Sequence, residues 1–270
     1  MKLDYWTMIS PDPIVMNFGT VRKPKLREIS NGGIQQFNFM ESLLVMTPEI
    51  YFTKINPSNF YMWDSLTEKQ KNSMTIFKAF ALDESLVQLY LSLFSYFIEE
   101  NVAYQSGYLV VFNSGVAMTD DPNPEDIKFI IDEEAFLSIL NIFKQVCGMR
   151  VDEKVSDIPE AKLKNAKARA LYERMKKAEQ EQKKQEGSNP DYSIPNIVSA
   201  VVSRHPSLNY TNVWELSVYQ LMDTFDRLRR GVIYDIGKTS VAVWGDEKNR
   251  FKVESWYHNE FDNDNGSNDS

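Results

Sequence analysis

Leu86-Val-Gln-Leu-Tyr-Leu-Ser-Leu-Phe-Ser-Tyr-Phe-Ile98 is the most strongly patterned stretch of the chain. Leu86, Leu89, Tyr90, Leu93, Phe94, Phe97 and Ile98 recur at helical spacing and build one broad apolar face. The spacing predicts a helix packed on a core. A second helix of this kind follows downstream. Asp132 reads as its N-cap, Phe136, Ile139, Leu140, Phe143 and Cys147 as its apolar face, and Gly148 as its stop.

Working outward, Thr67-x-x-Gln70 has the form of a capping box and predicts a helix to about Phe80. Residues 47–64 are rich in aromatics and interrupted by proline. Another helix is expected after Pro24, with Leu26, Ile29, Ile34, Phe37 and Leu44 among its apolar positions and Asn31-Gly32-Gly33 weakening it. Pro11, Pro13 and Pro24 predict an extended stretch over 5–24, with a small hairpin around Asn17 to Gly19. Tyr108–Phe112 is a strand candidate, with Asn113-Ser114-Gly115 as its turn and Val116–Met118 returning. Phe129–Ile131 reads as a third short strand.

Residues 160–186 differ in kind. They hold nine Lys or Arg and five Glu, with a thin apolar stripe of Leu163, Ala166, Ala170, Leu171 and Met175. This composition predicts a long solvated helix, ended by Gly187-Ser-Asn-Pro190. Beyond it, Ile197, Val198, Val201 and Val202 predict a short helix closed by Pro206. Asn212-x-x-Glu215 predicts the start of another, with Trp214, Val218, Leu221, Met222, Phe225 and Leu228 on one face and Gly231 as its end. Val241–Trp244 and Phe251–Val253 are candidates for short strands or irregular segments. Residues 259–270, rich in Asn, Asp, Gly and Ser, read as a disordered acidic tail.

The expected fold is therefore mainly α with a small β component. It has an N-terminal α+β domain over 1–157, a charged helical connector over 158–190, a C-terminal helical domain over 191–258 and the tail over 259–270. The 270 residues are 43 % hydrophobic and 13 % aromatic, enough for a core and incompatible with global disorder. The net charge is −8, opposite in sign to that of a general nucleic-acid binder. The single cysteine, Cys147, excludes an intrachain disulfide. No signal peptide or bilayer-spanning run is read from the sequence, so a soluble protein is expected, with no membrane partner.

Catalytic signatures are sparse. Gly32-Gly33 lies inside a helical region and reads as a helix break, not as a phosphate loop. Cys147 falls on an apolar helix face, where thiols are inert. His205 sits at a helix end and His258 near the tail. Asp120-Asp121 with Glu125-Asp126 offers oxygen ligands for a divalent ion but lacks the pattern of a calcium loop, as do Asp262, Asp264 and Asp269. Neither a cofactor nor a metal is expected, and the chain reads as a non-enzyme. Two features point to binding. One is the basic stretch Lys162–Lys184, diluted by Glu173, Glu179 and Glu181 and poor in stacking aromatics. The other is the C-terminal set Trp214, Tyr219, Tyr234, Trp244, Trp256 and Tyr257, residue types enriched at interface anchors.

Two segments carry a resemblance. One is Ile9-Ser-Pro-Asp-Pro-Ile14 with Gly19-Thr-Val-Arg-Lys-Pro-Lys-Leu-Arg-Glu-Ile29. The other runs through Ile194-Pro-Asn-Ile197, Asn212-Val-Trp-Glu-Leu-Ser-Val-Tyr-Gln-Leu-Met-Asp-Thr-Phe225, Tyr234-Asp-Ile-Gly and Ser240-Val-Ala-Val-Trp-Gly-Asp246. Together they resemble tail assembly chaperones of bacteriophages from Gram-positive hosts. The resemblance implies a protein of the host cytoplasm that binds the long helical tape-measure protein, with the tail-tube protein as a further partner. It implies that the tape-measure protein stays soluble until the tube polymerises around it. The residues expected to contact a partner are Arg169, Tyr172 and Met175 on the connector, and Tyr219, Trp256 and Tyr257 beyond it. A subunit retained in the virion, an RNA-binding regulator using the connector, and a metal-dependent enzyme using the loop carboxylates are the alternatives.

Overall fold

The computed structural model describes residues 1–117, 123–149, 190–246 and 251–257. The fold is mainly α with two small antiparallel sheets, as the periodicities predict. It divides into two compact units. The first holds Met1–Met149 and the distant segment Glu215–Tyr219, and the second the described residues of 190–214 and 220–257. The expected connector helix and the acidic tail lie outside the described residues.

The first unit opens with α1 (Tyr5–Ile9), not with the extended stretch the prolines suggest. The Asp4 carboxylate accepts from the Thr7 N–H at 2.9 Å and caps the turn. At the other end the buried Lys23 ammonium donates to the carbonyls of Thr7 and Ser10, which the helix leaves unpaired. The prolines stop this helix and do not forbid it. β1 (Ile14–Met16) and β2 (Gly19–Val21) form the expected hairpin. Buried Glu100 ties it to the rest of the unit. Its carboxylate accepts from the Thr20 N–H at 2.7 Å and from Lys128 Nζ at 2.6 Å. Gly19 permits this approach, because a Cβ there would stand 2.9 Å from Glu100 Oε2.

α2 (Leu26–Gly32) and α3 (Ile34–Leu44) meet at Gly33, whose φ of +91° breaks the helix where the Gly pair predicts. Glu215–Tyr219 pairs beside α2. The Leu26 N–H donates to Leu216 O at 2.9 Å, the Val218 N–H donates to Pro24 O at 3.2 Å, and the Arg27 guanidinium reaches the Glu215 carboxylate at 2.6 Å. Short helices follow: α4 (Pro48–Ile50), a π-helical turn over Tyr51–Ile55 and α5 (Phe60–Asp64). The capping box at Thr67 starts α6 (Glu68–Ser73), but the helix expected to reach Phe80 is two pieces. A second cap, Thr75, begins α7 (Ile76–Ala79).

α8 (Glu84–Phe97) and α9 (Glu133–Val146) are the two patterned helices, with Asp83 and Asp132 as N-caps and Gly148 in the left-handed region beyond α9. Between them lie β3 (Val102–Gln105), β4 (Tyr108–Phe112) and β5 (Ile127–Ile131), paired in that order. β4 thus pairs with β3, through the Ser106-Gly107 turn with both φ positive, and with β5; Val116 and Ala117 form no strand, and Met118 lies outside the described residues. Rings fill the core. Phe136 of α9 lies 5.4 Å from Phe77 and Tyr90, 5.5 Å from Phe80 and 5.8 Å from Phe94, centroid to centroid. Phe143 stacks on Phe97 at 4.6 Å.

The second unit contains a turn at Pro190–Tyr192, α10 (Ile194–Arg204) and most of α11 (Val218–Trp244). Ile197, Val198 and Val201 of α10 are buried, as their spacing predicts. α11 departs from expectation at both ends. Asn212 opens only a 3₁₀ turn over Val213–Glu215, and the helix begins at Val218. It then passes through Gly231 and Gly237 to Trp244, so Val241–Trp244 is helix and not strand. Phe251 and Lys252 are irregular, the second of the two readings for Phe251–Val253, and a 3₁₀ turn spans Val253–Trp256.

Asp83 does more than cap α8. Its carboxylate accepts from the Tyr51 hydroxyl at 2.7 Å, from Asn56 Nδ2 and Asn59 Nδ2 at 2.8 Å each, and from the Ser85 N–H at 2.9 Å. Burial pushes its pKa up, but these four donors outweigh burial and hold it below the usual carboxylate range. A lowered folded pKa contributes stability above the unfolded value and loses it as pH falls through the folded value. Asp83→Ala leaves three side-chain donors and a helix start unsatisfied. It is expected to cost about 3 kcal/mol at neutral pH, with the gap to wild type narrowing in acid. Urea unfolding of both chains at pH 7 and pH 3 checks this.

Candidate functional site

The described half of the expected partner-contact residues sorts by unit. Tyr219 lies half-buried in the first unit, on the segment beside α2. Trp256 and Tyr257 belong to the second, both exposed, with rings edge to face at 5.1 Å. Trp214 is half-buried and its indole N–H donates to Tyr210 O at 2.6 Å. Arg169, Tyr172 and Met175 lie outside the described residues.

The sequence reading names Trp244 as a candidate anchor but misses the surface it belongs to, which is on α11. Ile233, Ile236, Val243 and Trp244 are 62 %, 65 %, 64 % and 83 % exposed. At about 100° per residue their directions fall within an arc of about 100°, one side of the helix. Phe225 and Arg229 continue this side toward the N-terminus, and there it is covered. Tyr192 packs edge to face on Phe225 at 6.4 Å, and its hydroxyl accepts from Arg229 Nη1 at 3.3 Å. Beyond Arg229 the cover stops and the apolar row lies open.

The adjoining side is occupied by the returning chain. The Phe251 ring lies tilted against that of Tyr234, centroids 5.2 Å apart, and its N–H donates to Asp246 Oδ2 at 2.8 Å. Gly237 makes room for this ring, since a Cβ there would lie 3.2 Å from Phe251 Cε2. Gly237 is thus the seat of an aromatic contact inside the helix. Isolated exposed apolar residues are ordinary on a surface, but an aligned row is the mark of a binding face.

Among the described residues the catalytic candidates do not assemble. Cys147 is buried, and desolvation pushes its thiol pKa well up, which keeps it unreactive. His205 closes α10, its Nδ1 accepting from the N–H groups of Ser207 at 3.2 Å and Leu208 at 3.1 Å. Asp120, Asp121 and His258 lie outside the described residues. Glu125 and Asp126 form a 3₁₀ turn with Pro124, and the Asp126 carbonyl accepts from the Asn113 N–H at 2.8 Å. Among the described residues no group of three or more His, Cys, Asp or Glu side chains is placed to hold a metal, and no helix is long and apolar enough to cross a membrane.

Residues 181–260 match the model of the YomV second domain family, a phage-associated family. The match covers under a third of the chain, and the open row of α11 lies inside it. No curated protein and no solved structure matches the chain.

The two helical glycines of α11 separate local propensity from packing. Nothing stands within 4 Å of a Cβ built on Gly231. Gly231→Ala is expected to stabilise the chain by about 0.5–1 kcal/mol. Gly237→Ala is expected to gain less, because Phe251 must shift to admit the methyl. Thermal unfolding of the two variants checks the order.

Proposed function

We propose that this protein is a phage tail assembly chaperone that acts by binding and not by catalysis. It holds the tape-measure protein in solution in the host cytoplasm until tail-tube subunits assemble around it. The observation that carries the reading is the uncovered apolar row Ile233, Ile236, Val243 and Trp244, placed within the residues that match a phage-associated family. An exposed amphipathic helix can take the apolar stripe of another helix, and a tape-measure protein offers such stripes along its length. The net charge of −8 opposes self-association while that face is open. Trp256 and Tyr257, large rings with a polar edge, suit the rim of the same interaction.

Ile236→Asp combined with Trp244→Ala changes two exposed side chains and is expected to leave the fold intact by circular dichroism. In cells producing phage, recovery of the tape-measure protein with the tagged variant is expected to fall about tenfold or more against wild type. Quantitative mass spectrometry of the pull-down reads this. Unchanged recovery with a folded variant contradicts the role of the row.

A further inference from the structure

Glu41 stands at the edge of the buried stripe of α3. Phe37, four residues before it, and Leu44, three after it, are buried, and helical spacing puts all three on one side of the helix. α3 packs on α8 and α9, and the Tyr90 hydroxyl of α8 donates to Leu43 O at 2.8 Å. Glu41 is itself half-buried. Among the described residues no hydrogen bond or ion pair reaches its carboxyl. The two buried carboxylates of the unit, Asp83 and Glu100, are each held by several donors. Glu41 has none.

Its surroundings supply no cation. Tyr96 of α8 and Cys147 beyond α9 both sense its charge. Burial raises the Tyr96 phenol, and Cys147, Glu28 of α2 and Glu41 add to this in that order. Burial, and then Glu41, raise the Cys147 thiol. At Glu41 itself burial acts unopposed and lifts the carboxyl from 4.5 to about 7. We propose that Glu41 makes the seat of α3 on α8 and α9 sensitive to pH across the neutral range. In mild acid the carboxyl is neutral and packs beside Phe37 and Leu44. As pH rises the carboxylate demands water that this place limits, and ionisation favours states in which α3 lifts away. A carboxyl raised in the folded state contributes stability that is full below about 4.5 and is lost as pH rises through about 7. The direction is opposite to that of Asp83, whose contribution is lost in acid. The device shares no residue with the α11 row and stands whether or not that row binds a tape-measure protein.

The test uses the full chain and its single cysteine, Cys147, which is buried and reacts only in opened molecules. Iodoacetamide labelling under native conditions is followed by intact mass, for wild type and for Glu41→Gln, which keeps the shape and removes the ionisation. The thiolate fraction of the opened state rises equally in both chains, so it cancels in the ratio of their rates. With 4.5 for the opened carboxyl and about 7 for the packed one, the ratio of wild-type to variant rate is expected to rise about tenfold from pH 6 to pH 8. A ratio that stays constant over this range overturns the proposal. The carboxyl carbon of Glu41 in the wild-type chain, followed by NMR, is expected to titrate near neutral pH. Titration in the ordinary carboxylate range overturns the proposal as well, and that measurement needs no variant.

Discussion

The first unit closes on the ring of Phe136. Four rings from α7, its C-terminal edge and α8 stand around it, Phe77, Phe80, Tyr90 and Phe94, all with centroids within 5.8 Å. Aromatic groups bury large areas and prefer edge-to-face or offset contacts, so the cluster fixes angles as well as distances. That fixes how α9 lies on α8. The sheet in turn must run between them, since β3 leaves α8 and β5 leads into α9. The Tyr104 ring of β3 joins the cluster through Phe80 at 6.0 Å. The remaining elements of the unit attach to this slab.

They attach through buried charges. Asp83 gathers the irregular stretch over 51–59, which has no long helix to hold it. Glu100 fastens the β1–β2 hairpin to β5, and Lys23 finishes α1. Each charge is costly to bury alone and is compensated here by several partners. In a unit with many short helices, such hubs replace the regular ladder of a long element. None of the buried side-chain polar atoms among the described residues lacks a partner.

These features differ in how far the sequence announces them. α8 and α9 were legible because an apolar period repeats over several turns, in α9 between a carboxylate cap and a glycine stop. The capping box at Thr67, the break at Gly33 and the β1–β2 hairpin were legible from local chemistry alone. β3 was missed because Val102-Ala-Tyr-Gln105 is short, and the Asn113-Ser-Gly115 turn drew attention downstream. α11 was cut short at Gly231 because propensity was weighed without tertiary contacts. Gly237 is kept by a ring over 10 residues away in sequence, and no local pattern reveals that. The same error hid the α11 row. With Val241–Trp244 read as a short strand or an irregular segment, Val243 and Trp244 could not be aligned with Ile233 and Ile236. Asp83 went unremarked in the sequence, since its donors come from residues 24 to 32 positions earlier.

The proposed function draws on this division. A compact, polar-tied first unit gives a stable body, and the second unit presents a helix whose cover ends at Arg229. A protein built to stay in a particle would have such a face covered in the finished assembly. A chaperone must free it again. The most direct measurement is therefore the copy number of this chain in purified mature phage particles, by quantitative mass spectrometry against the tail-tube protein. The account predicts that the chain is absent from the particles while abundant in the producing cells. A fixed stoichiometric copy number in the particle contradicts it and makes the chain a structural subunit.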